Sequence, residues 1–201
     1  LIVISSGTSM KKYGYLERVQ KLLSQNGAES VVFDKILPNP IRSHVMEGAA
    51  MAKAQNCDFV IGLGGGSSID SAKSIAIMAK NPGDYWDYIN GGTGKGKPVT
   101  QGVLPIVAIT TTAGTGTEST RYSVIYYNNE KQSLHHDSLI PDFCILDPHF
   151  LYDLPIYHKK ASLLDAFCQA IESYWSVNSN NQSKNYSKKD WMTVVTSSAH
   201  T

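Results

Sequence analysis

Residues 57–80 read CDFVIGLGGGSSIDSAKSIAIMAK, and this stretch restricts the possible folds more than any other. An apolar run closes on Gly62, Gly64, Gly65 and Gly66, and Ser67-Ser68 open a helical period. A strand that turns on glycines straight into a helix is half of a strand–helix–strand unit. The same alternation surrounds it. LIVI at the start is a buried strand, and MKKYGYLERVQKLLSQNG places Leu16, Val19, Leu22 and Leu23 at helical spacing before Gly27. ESVVFD is a second strand, PNPIRSHVMEGAAMAKAQN a helix begun after a proline turn, and LPIVAIT a strand after the polar link NGGTGKGKP. Strand and helix in turn predict an α/β fold with a parallel sheet covered on both faces.

The second half changes character. SVIYYNNEKQSLHHD reads as a hairpin around Asn128-Asn129, FCILD as one more strand, and PHFLYDLPIYHKKASLLDAFCQAIESYWS as the start of helical structure. A domain boundary is therefore expected near Asp147 to Leu154. From Val177 the chain turns polar and ends in DWMTVVTSSAHT, which shows no helical period, so a discontinuity is expected near Lys189. Because the chain opens directly on a strand, a missing N-terminal piece is expected as well.

With 42% hydrophobic and 17% charged residues and a net charge of +1, disordered and fibrous classes drop out. Near-neutral charge gives no electrostatic case for nucleic acid or an acidic membrane surface. Cys57, Cys144 and Cys168 are odd in number and widely spaced, which fits neither a disulfide framework nor a zinc pattern and points to a reducing, cytoplasmic setting. No apolar stretch approaches the roughly 20 residues of a membrane span.

Chemistry gathers in two loops. Glycines let a backbone approach a ligand, and a helix N-terminus offers unpaired N–H groups and a positive dipole end, so GLGGGSSIDSAK suits a phosphate. TTTAGTGTES places Thr110, Thr111, Thr112, Thr115 and Thr117 with Gly114 and Gly116 directly after another apolar strand. Parallel α/β sheets bind ligands at that carboxyl edge. A tight turn with a serine cap accounts for the first loop alone; two such loops are harder to explain without a ligand.

GGGSSIDSAK, TTAGTGTE, LPNP, IPDFCILDP and LLDAFCQAIESYWS, in this order, resemble the iron-containing (group III) alcohol dehydrogenases of the dehydroquinate-synthase-like superfamily. The resemblance runs from about Leu1 to Lys189. It implies a Rossmann-like dinucleotide-binding domain over 1–150, the start of an all-helical metal and substrate domain over 151–201, cut short here, and a homodimer. The implied reaction is reversible hydride transfer between a nicotinamide cofactor and an alcohol or aldehyde. Carried across, Gly65, Gly66 and Ser67 face the cofactor pyrophosphate, Thr111, Thr112 and Thr115 line its side of the cleft with Asn39 nearby, and Lys131 falls by the nicotinamide ribose or is a solvated charge on the hairpin. A dehydroquinate synthase-like lyase shares the glycine loops, and a truncated, inactive nucleotide-binding module is a third possibility.

The first strand bears on cofactor choice. A carboxylate at its end would hold the ribose hydroxyls of NAD and repel a 2′-phosphate, but Ser6, Gly7, Thr8 and Ser9 stand there, followed by Lys11-Lys12. NADP(H) is therefore expected over NAD(H). The resemblance also implies a divalent metal, iron or zinc, held by an aspartate, a histidine four residues later and two further histidines. Asp165 matches the aspartate, while Gln169 stands in the first histidine's place and is a poor substitute for imidazole. Asp165 otherwise reads as a first-turn acid complementing the helix dipole, Cys168 as a small buried apolar residue, Tyr174 and Trp175 as packing residues, and His200 as solvated.

Overall fold

The computed structural model describes residues 1–152 and 154–198. Among these residues seven strands and seven α-helices follow one another as β1 (Ile2–Ser5), α1 (Ser9–Lys12), α2 (Tyr15–Gln25), β2 (Val32–Ile36), α3 (Arg42–Ala54), β3 (Val60–Gly64), α4 (Gly66–Lys80), β4 (Ile106–Thr110), β5 (Tyr122–Tyr127), β6 (Glu130–His135), β7 (Phe143–Leu146), α5 (His149–Tyr152), α6 (Ile156–Trp175) and α7 (Asn181–Ser198). Backbone contacts divide the chain into two compact units. One holds Leu1–Thr111 and Gly116–Asp147, the other Thr112–Thr115 and Pro148–Thr201.

The first unit is the α/β fold the alternation predicts. Its sheet runs β2-β1-β3-β4-β7 with every pair parallel. The first β–α–β step goes one way from β1 and the next goes the other way, so the carboxyl ends of β1 and β3 flank the switch point where such sheets open a crevice. Parallel strands covered on both faces need apolar residues at every position. β3 is buried throughout, as are Ile2, Val3 and Ile4 of β1. α4 is buried on nearly every side, Ile69, Ala72, Ile75, Ala76, Ile77 and Met78 included. Each such Ile or Met contributes about 1.5–3 kcal/mol of transfer free energy. β7 is the exception: it lies at the sheet's edge, and Phe143, Ile145 and Leu146 are exposed.

Gly14, with φ of 72°, divides the predicted first helix into α1 and α2. The second strand begins at Val32, three residues after the Glu29 at which ESVVFD opens. The hairpin β5–β6 turns where expected, on Asn128 and Asn129 with φ of 48° and 63°, the left-handed pair that a two-residue turn requires.

In the second unit α6 and α7 pack together, with Tyr174 stacked on Trp191 at 5.3 Å between centroids. Three expectations fail here. The polar tail is helical through Ser198, because Asn180 Oδ1 accepts from the Ser183 backbone and Ser183 Oγ from the Asn180 backbone, both at 2.9 Å. That reciprocal pair is a capping box, and it starts a helix whose composition hides its period. Trp175 and Cys168 are exposed rather than packed, while Tyr174 finds its partner in Trp191. Asp165 lies well inside α6, which begins at Ile156, so it is no first-turn acid. His200 lies outside the described residues.

Candidate dinucleotide site

The site is built on β3 and α4. At Gly62 a Cβ would come within 2.9 Å of Ile69 Cα and 3.0 Å of Ala72 Cβ, so the strand and the helix it feeds lie closer than any side chain permits. Gly64 follows at φ of 146°, and α4 starts at Gly66 with Gly65 as its N-cap in extended conformation. Ser67 and Ser68 thus occupy the first helical turn instead of capping it. That turn directs its unpaired N–H groups and positive dipole end out past the strand.

β4 lies beside β3, and the Thr111 amide donates to Gly64 O at 2.9 Å, so the glycine and threonine loops leave the sheet side by side. Thr111 is buried at that junction. Thr112 and Thr115 belong to the second unit, where Gly114 lies against the Ser162 backbone of α6 with no room for a Cβ. Ser6, Gly7 and Thr8 are exposed beyond β1, and Ser9 begins α1. The Ser6 amide donates to Ile36 O at 2.7 Å, which sets this loop against the end of β2. Lys11 pairs at 2.6 Å with Asp34 of β2 and, through that hydrogen bond first, holds the carboxyl below the usual aspartate range. Asn39 is exposed in the left-handed region, φ 59°, between β2 and α3. Lys131 is exposed on β6, with Nζ 5.7 Å from the Tyr126 ring centroid and its charge felt at Asp70.

The sequence reading missed a buried polar cluster beneath these loops. Lys73 of α4 has no exposed surface, and its Nζ donates to Thr117 O at 2.6 Å, Thr117 Oγ1 at 3.3 Å, Thr120 O at 2.7 Å and Tyr122 O at 2.9 Å. Burial pulls its pKa down to about 8, against the opposing pull of Asp70 and Glu118. Asp70, one turn earlier, accepts from the Thr117 hydroxyl and from the Val124 amide at 3.2 Å. Burial pushes its pKa up nonetheless. Ser123 Oγ donates to Asp70 O at 2.7 Å and lies 2.6 Å from Ser74 Oγ. The legible signal was an acid and a lysine three apart in a helix that then runs apolar from Ile75 to Ala79.

A sequence model of the iron-containing alcohol dehydrogenases matches residues 1–148. The chain belongs to the iron-containing alcohol dehydrogenase family. It is 38% identical over 183 residues to alcohol dehydrogenase 4 of Saccharomyces cerevisiae, covering 90% of this chain and 46% of the yeast protein. Over 163 residues it is 38% identical to the NAD-dependent methanol dehydrogenase of Bacillus methanolicus, covering 80% of this chain and 42% of that protein. Among solved structures, NADH-dependent butanol dehydrogenase A of Thermotoga maritima superposes with a TM-score of 0.86 at 31% identity, over 96% of this chain and 48% of that one. The chain spans about half the length of these relatives.

The family's iron has no matching donor set in this stretch of the family fold. Gln169 Nε2 lies 3.4 Å from Asp165 Oδ2 on the exposed face of α6, so the amide offers its hydrogens to the carboxylate. One carboxylate and one neutral amide do not hold a transition metal. Among the described residues, no group of three or more His, Cys, Asp or Glu converges. No helix among them is long and apolar enough to cross a membrane.

Proposed function

We propose that this chain is the dinucleotide-binding part of a nicotinamide-dependent oxidoreductase acting on an alcohol or aldehyde. Residues 1–150 form the cofactor domain in this reading, and 151–201 begin a helical one. The observation that supports it is the Thr111–Gly64 hydrogen bond, by which the chain leaves β4 beside the glycine turn at the carboxyl edge. Gly65, Gly66 and Ser67 take the pyrophosphate at the first turn of α4, Thr111, Thr112, Thr115 and Asn39 orient the remainder, and Lys131 faces the nicotinamide ribose. When bound, the cofactor supplies or accepts the hydride.

The 2′-phosphate of NADP(H) suits the β1 end better than a bare ribose. Ser6, Gly7, Thr8 and Ser9 offer hydroxyls and amides there, and the nearby carboxylate of Asp34 is engaged by Lys11. Titrating the chain with both reduced cofactors, followed by nicotinamide fluorescence, is expected to give a Kd for NADPH at least tenfold below that for NADH. The methanol and butanol dehydrogenases above are named for NAD and NADH. An equal or tighter fit for NADH would align this chain with them and end the NADP assignment.

A second reading, dinucleotide binding without turnover, is favoured by the Asp165–Gln169 pair. Metal stimulation separates the two. Under the binding-only reading, aldehyde reduction stays at background with added Fe(II) or Zn(II), and a chelator leaves the NADPH Kd unchanged. Turnover that rises with metal would discard that reading.

A further inference from the structure

We propose that Lys73 is the positioning residue of the dinucleotide site, fixing the segment Thr117–Tyr122 on α4 so that the chain returns to the β3–α4 pair at a set place. This inference rests on the dinucleotide reading above. Lys73 lies two turns inside the helix whose N-terminus is assigned to the pyrophosphate, and it reaches three backbone carbonyls and one hydroxyl on the far side of the threonine loop. The loop is thereby tied to the β3–α4 unit at both ends, at Thr111 through Gly64 O and at Thr117 through Lys73.

The ammonium suits this task and little else. A lysine head carries three donors and no acceptor, and four oxygens from three residues converge on it. Backbone carbonyls cannot be changed by substitution, so one side chain sets the path of the whole segment. Asp70 adds a second tie, holding the Thr117 hydroxyl and the Val124 amide. Placing a charge where an apolar residue would pack is a costly way to gain stability and an effective way to specify one loop geometry. With no exposed surface, Lys73 makes no contact with a ligand itself.

The test compares the wild-type chain with Lys73→Met and Thr117→Val. For each, the NADPH Kd, backbone amide hydrogen exchange resolved by segment, and the melting temperature are measured. Lys73→Met is expected to raise the Kd at least tenfold and to speed exchange across residues 116–124 at least tenfold, with β1 and β3 unchanged. Thr117→Val removes the hydroxyl's two bonds, from Lys73 and to Asp70, while leaving the three carbonyl contacts of Lys73, and is expected to shift both readouts the same way by about threefold, so the idea remains exposed if the methionine variant fails to fold. A folded variant with wild-type exchange over 116–124, or with faster exchange there and an unchanged Kd, overturns the proposal. If the wild type binds neither NADPH nor NADH, the dinucleotide reading falls, and the exchange data alone decide whether Lys73 anchors the segment.

Discussion

Replacing Gly62 with valine is expected to cost the fold about 3 kcal/mol, the upper end of what overpacking a core produces. Even a single added methyl group would lie 2.9 Å from the Ile69 Cα and 3.0 Å from the Ala72 Cβ. Both neighbours belong to α4, and one of them is backbone, so no rotamer change relieves the contact. The helix must back away from the sheet, opening the seam between β3 and α4 and displacing the first turn assigned to the pyrophosphate. For a chain of this size, the loss lowers the melting temperature by about 10 °C. Gly7→Ala is the control, because a Cβ there meets only Ser5 Oγ at an ordinary 3.7 Å. Urea unfolding of the two variants gives the comparison, and a valine variant within about 1 kcal/mol of wild type would contradict the packing described.

The second large effect concerns pH. Lys73 has its pKa lowered from 10.5 to about 8 by burial, the opposing charges being Asp70 and Glu118. Between those values the unfolded chain holds a proton that the folded chain has given up, so stability rises with pH over this window. At 1.36 kcal/mol per unit, the rise is about 3 kcal/mol. Three groups work against it at the upper end: burial raises the Tyr85 phenol, desolvation the Cys144 thiol and the hydrogen bond to Asp87 the Lys97 ammonium, so each favours the protonated fold. Unfolding free energies should therefore be measured between pH 7.5 and 10 for wild type and Lys73→Met, and the difference taken. The wild-type curve should climb relative to the variant's. Parallel curves would mean that Lys73 titrates as an ordinary surface lysine.

The α/β alternation was legible because strands of a parallel sheet and the helices covering them differ in length, branching and glycine punctuation. β1, β3 and β4 fall where their apolar runs place them, and the hairpin turns on its asparagine pair. The failures have physical causes. α7 was hidden because a helix capped by Asn180 and Ser183 needs no apolar stripe to begin. Lys73 and Asp70 were passed over because charges in a helix usually mark its wet face, and only tertiary structure shows α4 enclosed on nearly every side. Cys168 and Trp175 were assigned to packing by residue type, which says nothing of which face of α6 they occupy.

The exposed edge at β7 has a consequence for handling the chain. A strand of Phe143, Cys144, Ile145 and Leu146 pairs with β4 on one side and presents its N–H and C=O groups on the other. It has no proline, charge or bulge to discourage another strand from adding there. Light scattering should rise with protein concentration, and the first remedy to try is a lysine at Ile145, which would make each edge repel its like.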